Sequence, residues 1–185
     1  MTSGRRATRT YLEMTSAADV RPAAAPPQPL VVAREHPCPA ERYRALYLGV
    51  GAAYHWTDRA GWTDAEIHAH VTLPGVEVWT GHVEGALAGF FELRDWPDGS
   101  TEIAYFGLLP AFVGRGLGGA LLTAALAQAW ARTPTRVWLH TSSLDHPAAL
   151  ANYRARGFVV TGTEEYAVQG PGTGDQGPGN RSDPR

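Results

Sequence analysis

Four glycines crowd the junction between a predicted strand and a predicted helix, at Gly114, Gly116, Gly118 and Gly119. Glycine lets the backbone approach a ligand closely, and the start of a helix presents unpaired N–H groups that carry a partial positive charge. A strand, a glycine-rich loop and a helix start in succession therefore predict a site for a pyrophosphate. A tight strand-to-helix turn without a ligand is the alternative.

Two common phosphate-binding patterns do not fit this loop. The dinucleotide-binding fingerprint lies in an early βαβ unit, and none surrounds these glycines. A Walker A loop ends in Gly-Lys-Ser/Thr, and this sequence contains no lysine. The loop therefore belongs to neither class.

The order of predicted elements indicates an α/β protein in which strands come first and helices and strands then alternate. Such an order favours a mixed sheet with helices on both faces. Residues 1–29 end in a proline-rich run and residues 169–185 are rich in glycine, so both are predicted to be disordered around one folded domain at 30–168. Strands are predicted at residues 30–33, 76–80, 85–94, 101–109, 136–141 and 158–168, and helices at 39–54, 63–71, 116–130 and 147–156.

Composition and charge restrict the partners. The net charge is −2, and because residues 1–29 carry more arginine than carboxylate, the central part is more acidic still. An acidic core argues against nucleic acid and favours a cationic partner such as an amine. No apolar run reaches the ~20 residues of a membrane span, and the single cysteine, Cys38, fits a reducing cytoplasm. The expectation is a cytoplasmic protein without a membrane or nucleic-acid partner; a homodimer stays open.

The glycine-rich loop resembles motif A of the GNAT superfamily of N-acetyltransferases, whose pattern is Gln/Arg-x-x-Gly-x-Gly/Ala. The pattern corresponds to residues 113–118, read as Val-Gly-Arg-Gly-Leu-Gly. Val113 departs from it, since Gln or Arg is usual there. That position acts largely through its backbone N–H, so the grip on the phosphates is expected to survive.

A second segment, residues 146–158, is similar to motif B of the same superfamily, Asn-x-x-Ala-x-x-Leu-Tyr-x-x-x-Gly-Phe. The matching residues are Ala149, Tyr153, Gly157 and Phe158, while His146 and Asn152 replace the usual Asn and Leu. Together the two motifs extend the resemblance over residues 30–168, although the first third matches only in its pattern of elements.

The resemblance implies a GNAT-type twisted mixed sheet, splayed between its fourth and fifth strands, that binds acetyl-CoA. In the superfamily a bulge at the end of the fourth strand frees backbone N–H groups to face the thioester carbonyl, and residues 107–109 form the matching stretch. His146 has capping of the last helix as its alternative role. The implied cofactor-binding residues are Gly107, Leu108, Leu109, Val113, Gly114, Arg115, Gly116, Leu117, Gly118, Gly119, His146 and Tyr153.

Acetyl transfer to an amine needs a base, because an ammonium group has a pKa near 10. Glu102 is the first candidate, since its segment resembles the fourth strand of the histone-acetylating branch, where the glutamate base lies. His140, at the end of the fifth predicted strand, is the second. Tyr153 matches the tyrosine that protonates the departing thiolate in the superfamily. Each has a purely structural alternative: a carboxylate facing water, a packed histidine and a packed tyrosine.

The acceptor site is expected between the first two helices and at the end of the third strand. Aromatic faces with carboxylates suit a small cation, and an arginine can hold a substrate carboxylate. Ordinary anchoring of the loop by its tryptophans is the alternative. His68 and His70 lack further ligands, so no metal site is predicted. The candidate acceptor residues are Trp56, Asp58, Arg59, Trp62, Glu92, Arg94 and Trp96.

Three functions remain open on these grounds. The first, favoured by the single compact domain, is acetylation of a small-molecule amine by direct attack in a ternary complex. The second is acetylation of protein N-termini or side chains. The third is an acyl-CoA-binding module without catalysis, which the intact candidates Glu102 and Tyr153 disfavour.

Overall fold

Residues 6–168 are described by the computed structural model, and their strands form one mixed sheet. The order across the sheet is β2-β3-β4-β5-β6-β1-β7, in which only β5 and β6 run parallel. The strands are β1 (Arg6–Met14), β2 (Leu30–Arg34), β3 (Val76–Val83), β4 (Ala86–Asp95), β5 (Thr101–Leu108), β6 (Val137–Ser142) and β7 (Val159–Ala167).

Two helices cover each face of the sheet, which confirms the predicted architecture. Tyr43, Leu46 and Ile67 pack with β3 and β4 on one face, and Leu121 and Leu126 pack with β4 and β6 on the other. None of the helices within residues 6–168 is long and apolar enough to cross a bilayer. The helices are α1 (Ala40–Gly51) and α2 (Asp64–Val71) on the first face, and α3 (Gly118–Trp130) and α4 (Ala149–Ala155) on the second.

The predicted boundaries hold to within a few residues, and the main shift has a clear cause. The third helix was expected from residue 116 but begins at Gly118, because Gly114 and Gly116 have φ values of 79° and 73°. These values lie in the left-handed region, which does not continue into an α-helix. At α2 the Thr63 side chain accepts a hydrogen bond from the backbone N–H of Glu66, as the predicted cap requires.

The structure contradicts the predicted disorder of residues 6–29. β1 pairs antiparallel with β6 on one side and with β7 on the other, and Ala7, Leu12 and Met14 are buried. The proline-rich run at 22–29 is typical of a disordered segment, whereas the β-prone stretch before it finds its partners far along the chain. The folded unit therefore includes β1, while the tail predicted from residue 169 onward lies outside the described residues.

Candidate active site

A cavity opens where β5 and β6 separate. The two strands pair only at Thr101–Val137 and Glu102–Trp138. Beyond these pairs they enclose a cavity of about 690 Å³, which is an ordinary size for a small-molecule site. The splay expected between the fourth and fifth predicted strands is thus observed between β5 and β6.

The glycine-rich loop closes one end of this cavity. Leu117 stands at the N-cap of α3 and provides no side-chain hydrogen bond, so the first N–H groups of the helix remain available to an anion. Most of the predicted cofactor-binding residues line the cavity, namely Gly107, Leu108, Val113, Gly114, Gly116, Leu117, Gly118, Gly119, His146 and Tyr153.

Two predicted cofactor residues do not line it. The N–H of Leu109 donates to the carbonyl of Ala88 at 2.8 Å, so this donor is already used. The guanidinium of Arg115 turns away to the amide oxygen of Gln28 and stacks 5.0 Å from the ring centroid of Phe112. Only the backbone of Arg115 is therefore available to a ligand at the loop.

The bulge in β5 lies nearer the start of the strand than expected. The register with β4 shifts between Glu92 and Leu93, which leaves Ala104 as the extra residue of β5. Backbone donors alternate in direction along a strand, and Leu109 points toward β4. The neighbouring N–H of Leu108 therefore faces the open edge that borders the cavity.

Asn152 joins α4 to the glycine-rich loop, a contact that the sequence analysis missed. Its side-chain Nδ2 donates to the carbonyl of Gly118 at 3.2 Å. A Cβ at Gly119 would lie 2.6 Å from Nη1 of Arg156, whereas one at Gly118 would have no neighbour closer than 3.6 Å. A side chain at 119 would therefore displace its neighbours, whereas one at 118 would meet only ordinary van der Waals contacts.

Tyr153 lies on the cavity wall and is 7% exposed. Its ring packs edge-on against Phe106 and Phe158, with centroids 6.0 and 6.2 Å away. Burial raises the pKa of Tyr153 above its ordinary value, and the charge of Asp145 raises it further. The hydroxyl is therefore neutral near pH 7 and holds a proton that it can donate.

His140 reaches the cavity, whereas Glu102 lies behind it. The His140 side chain is 40% exposed, and its Nε2 is 4.0 Å from Oε1 of Glu102, which is 8% exposed. Desolvation and the charge of Arg9 lower the pKa of His140, so the ring is neutral near pH 7. Burial raises the pKa of Glu102 to about 7, against the opposing hydrogen bond from Trp96.

At the far end of the cavity, Trp56 and Asp58 form part of the wall. The hydroxyls of Tyr47 and Tyr105 both donate to the carboxylate of Asp58. The indole Nε1 of Trp56 donates to Asp145 at 3.4 Å, and Asp145 also lines the cavity. Two carboxylates held by neutral donors, beside aromatic rings, form an environment that attracts a cation.

The predicted acceptor residues Arg59 and Glu92 lie under this wall. Nη1 of Arg59 is 2.8 Å from Oε2 of Glu92, and Nε2 of His70 is 2.9 Å from Oε1. Tyr43 donates to the same carboxylate at 2.7 Å. Burial alone would raise the pKa of Glu92, but the charge of Arg59 and these hydrogen bonds lower it to about 2. The cluster anchors the loop that carries Asp58 to β4.

The other three predicted acceptor residues lie outside the cavity lining. The ring of Trp62 packs against His70 and beneath the guanidinium of Arg59. Arg94 stacks 4.2 Å from the ring centroid of Trp96, whose Nε1 donates to Glu102 at 2.9 Å. Trp96 therefore orients Glu102. Trp62 packs as a loop anchor, which was the alternative role of the tryptophans.

β1 and β7 contribute cavity residues that were not predicted. Arg9 and Tyr166 line the cavity, and the Arg9 guanidinium lies 4.8 Å from the ring centroid of Tyr166. Nη1 of Arg9 is 2.9 Å from Oε1 of Glu164. The stretch Thr-Arg-Thr-Tyr at residues 8–11 carries β-prone residues in alternation with arginine, which was the available signal for a strand.

Comparison with known proteins agrees with this geometry. Residues 40–158 match the sequence model of the Acetyltransferase (GNAT) family. A mycothiol acetyltransferase from Mycolicibacterium gilvum is 32% identical over 132 residues, which cover 65% of this chain and 43% of that protein. The chain therefore belongs to the GNAT family.

Two solved structures share the fold. One is a GCN5-related N-acetyltransferase from Sphaerobacter thermophilus, with a TM-score of 0.63 and 19% identity over 85% of this chain and 49% of that chain. The other is a putative GNAT acetyltransferase from Novosphingobium aromaticivorans, with a TM-score of 0.57 and 21% identity over 87% of this chain and 63% of that chain. This chain spans less than two thirds of the length of each of these three relatives.

Proposed function

We propose that the protein transfers an acetyl group from acetyl-CoA to the primary amine of a small molecule, with both bound at once. The observation that carries this proposal is the continuity of the cavity. It extends from the uncapped start of α3, past Tyr153 and His140, to the wall that holds Asp58. An anion site, an acid, a base and a cation site in that order are what amine acetylation requires.

The glycine-rich loop fits the pyrophosphate of acetyl-CoA. The first N–H groups of α3, which have no side-chain cap, suit an anion, and Asn152 holds the loop through the carbonyl of Gly118. When bound, acetyl-CoA supplies the activated acetyl group and a thiolate leaving group. The N–H of Leu108 at the open edge of β5 is the donor best located to hold the carbonyl oxygen.

The two proton transfers are assigned to His140 and Tyr153, and Asp58 and Glu102 act as supporting charges. Asp58 attracts the protonated amine, and the neutral imidazole of His140 takes its proton. Glu102, 4.0 Å behind, stabilises the charged imidazole. As the C–N bond forms and the C–S bond breaks, Tyr153 gives its proton to the departing sulfur and recovers one from the new amide nitrogen. The geometry supports His140 as the group in contact with the amine and Glu102 as the residue acting through it, which reverses the order expected from the sequence.

The test is an amine panel assayed by release of free thiol from acetyl-CoA, with Gly118→Glu as the diagnostic variant. A carboxylate at 118 would occupy the phosphate space, so calorimetric binding of acetyl-CoA and thiol release should both disappear. The fold should persist, because a Cβ at this position meets only ordinary contacts. Gly61→Glu, at an exposed position with no atom within 4 Å, is the matched control. Normal binding by Gly118→Glu would exclude the loop as the phosphate site.

A further inference from the structure

β1 brings an arginine, Arg9, into the cavity lining. Its register pairs Tyr11 with His140 and Arg9 with Ser142 on β6, and pairs Arg9 with Glu164 on β7. Residues two apart on a strand face the same side, so Arg9 and Tyr11 share the face that carries His140. Their rows are about 7 Å apart along the strand. The charge of Arg9 also lowers the pKa of His140, which agrees with this proximity.

The Arg9 guanidinium is held in place but only partly occupied. Stacking on Tyr166 fixes its plane, and Ser142 in turn exchanges a hydrogen bond of 2.8 Å with the Tyr166 hydroxyl. Glu164 contacts one nitrogen, Nη1, and the Tyr11 hydroxyl also interacts with the guanidinium, which has five N–H donors in all. The Arg9 side chain is 22% exposed and borders the cavity, so the remaining donors are within reach of a ligand.

The other arginines considered for substrate binding are engaged elsewhere. Arg59 is buried against Glu92, and Arg94 is stacked on Trp96 outside the cavity lining. Arg9 is therefore the cavity arginine to which an acceptor can bring a negative group. A guanidinium matches a carboxylate geometrically, because its parallel N–H bonds meet both oxygens.

We propose that the acceptor is an amino acid, whose carboxylate binds Arg9 while its amine lies between His140 and Asp58. This inference rests on the proposed function, since it names the acceptor of that same reaction. The row spacing of about 7 Å lets one short molecule contact both groups through hydrogen bonds of about 3 Å. The Glu164 side chain is 43% exposed. It can therefore turn toward water and leave Nη1 of Arg9 to the carboxylate of the bound amino acid.

The experiment compares amino acids with the amines that lack only their carboxylate, such as phenylalanine with phenethylamine and methionine with 3-(methylthio)propylamine. Arg9→Gln should lower kcat/KM for the amino acids by about tenfold or more relative to the amines, mainly through KM. Its effect on the amines measures the part that acts through the pKa of His140, which the charge of Arg9 lowers. Arg6→Gln is the matched control, because Arg6 is on the same strand in a similar ion pair with Glu165 but outside the cavity lining. It should change neither series.

Two further experiments make the test independent of folding and of turnover. The conservative variant Arg9→Lys addresses folding, and a direct binding measurement addresses turnover. Lysine retains the charge without the planar fork, so it should show an intermediate loss for amino acids alone. Calorimetry with the CoA-loaded protein measures amino-acid binding without reaction. Binding that depends on Arg9 without any turnover would support the carboxylate site and reject the proposed acetyl transfer.

The contrary outcomes are equally distinct. Acetylation of both series with equal losses in Arg9→Gln, or with no losses, would reject the carboxylate site and leave acetyl transfer intact. Absence of both turnover and amino-acid binding would reject the two proposals together.

Discussion

The carboxylate of Glu102 lies 4.0 Å from Nε2 of His140, yet of the two only the histidine borders the cavity. The pair stands at the point where β5 and β6 part, since Glu102 belongs to the last residue pair between these strands. A group that exchanges protons with substrate must be within hydrogen-bond reach of it. The two residues therefore have different roles, which kinetics can separate.

His140→Ala should reduce turnover near pH 7 by about 10²-fold or more, because the amine loses its proton acceptor. Raising the pH should restore part of the rate, since free amine becomes more abundant. Glu102→Gln should lose less and should remove an inflection near pH 7, the pKa of Glu102. His68→Ala, at an exposed position on α2, is the control. A larger, pH-rescued defect in Glu102→Gln would return the role of base to the glutamate.

Glu102 should also make the stability of the protein depend on pH. Its pKa rises from an ordinary 4.5 to about 7 on folding, so the folded state binds the extra proton between these values. Stability therefore falls as the pH rises through this window, by up to about 3 kcal/mol. Glu102→Gln should be more stable than wild type at pH 8 but not at pH 4.5, by urea unfolding. An equal difference at both values would contradict the buried carboxyl.

Tyr153→Phe should lower kcat with little change in the affinity for acetyl-CoA. The ring keeps its packing against Phe106 and Phe158, whereas the proton for the thiolate is lost. Steady-state rates and calorimetric binding of acetyl-CoA measure the two effects separately. An unchanged kcat would show that another acid, or water, protonates the sulfur.

Arg59→Met should destabilise the protein by about 3–5 kcal/mol, because it leaves the buried charge of Glu92 without its cation. Adding Glu92→Gln should recover much of this loss. The amide removes the charge and can still accept hydrogen bonds from Tyr43. Denaturant unfolding of both single variants and the double variant at pH 7 gives the coupling. Additive losses would show that the two side chains act independently.

Leu12→Ala should lower the free energy of unfolding by about 2–5 kcal/mol, as is usual when a fully buried leucine is truncated. The result tests β1 as an integral strand, since a disordered arm would tolerate the change. Arg6→Ala, with a side chain 75% exposed on the same strand, should have little effect. Thermal unfolding of the two variants provides the comparison.

The sequence by itself determined the local elements and the family. Hydrophobic spacing located the helices and most strands, and the glycines at 114, 116, 118 and 119 predicted the anion-binding helix start. Each of these features depends on neighbours in the chain: φ freedom at glycine, capping of α2 by Thr63, and the period of apolar residues along a helix. The glycine-rich loop and residues 146–158 match two motifs of the GNAT family. Their occurrence together indicated that family, which the comparisons confirm.

Tertiary structure alone decided where β1 lies and which polar groups meet in the cavity. The slot between β6 and β7 is created by strands more than 120 residues later in the chain, and a segment cannot reveal such partners through its own pattern. The same holds for Glu102 and His140, which sequence ranked by resemblance. Their contact with the cavity depends on how far two strands have separated, and that distance results from packing on both faces of the sheet.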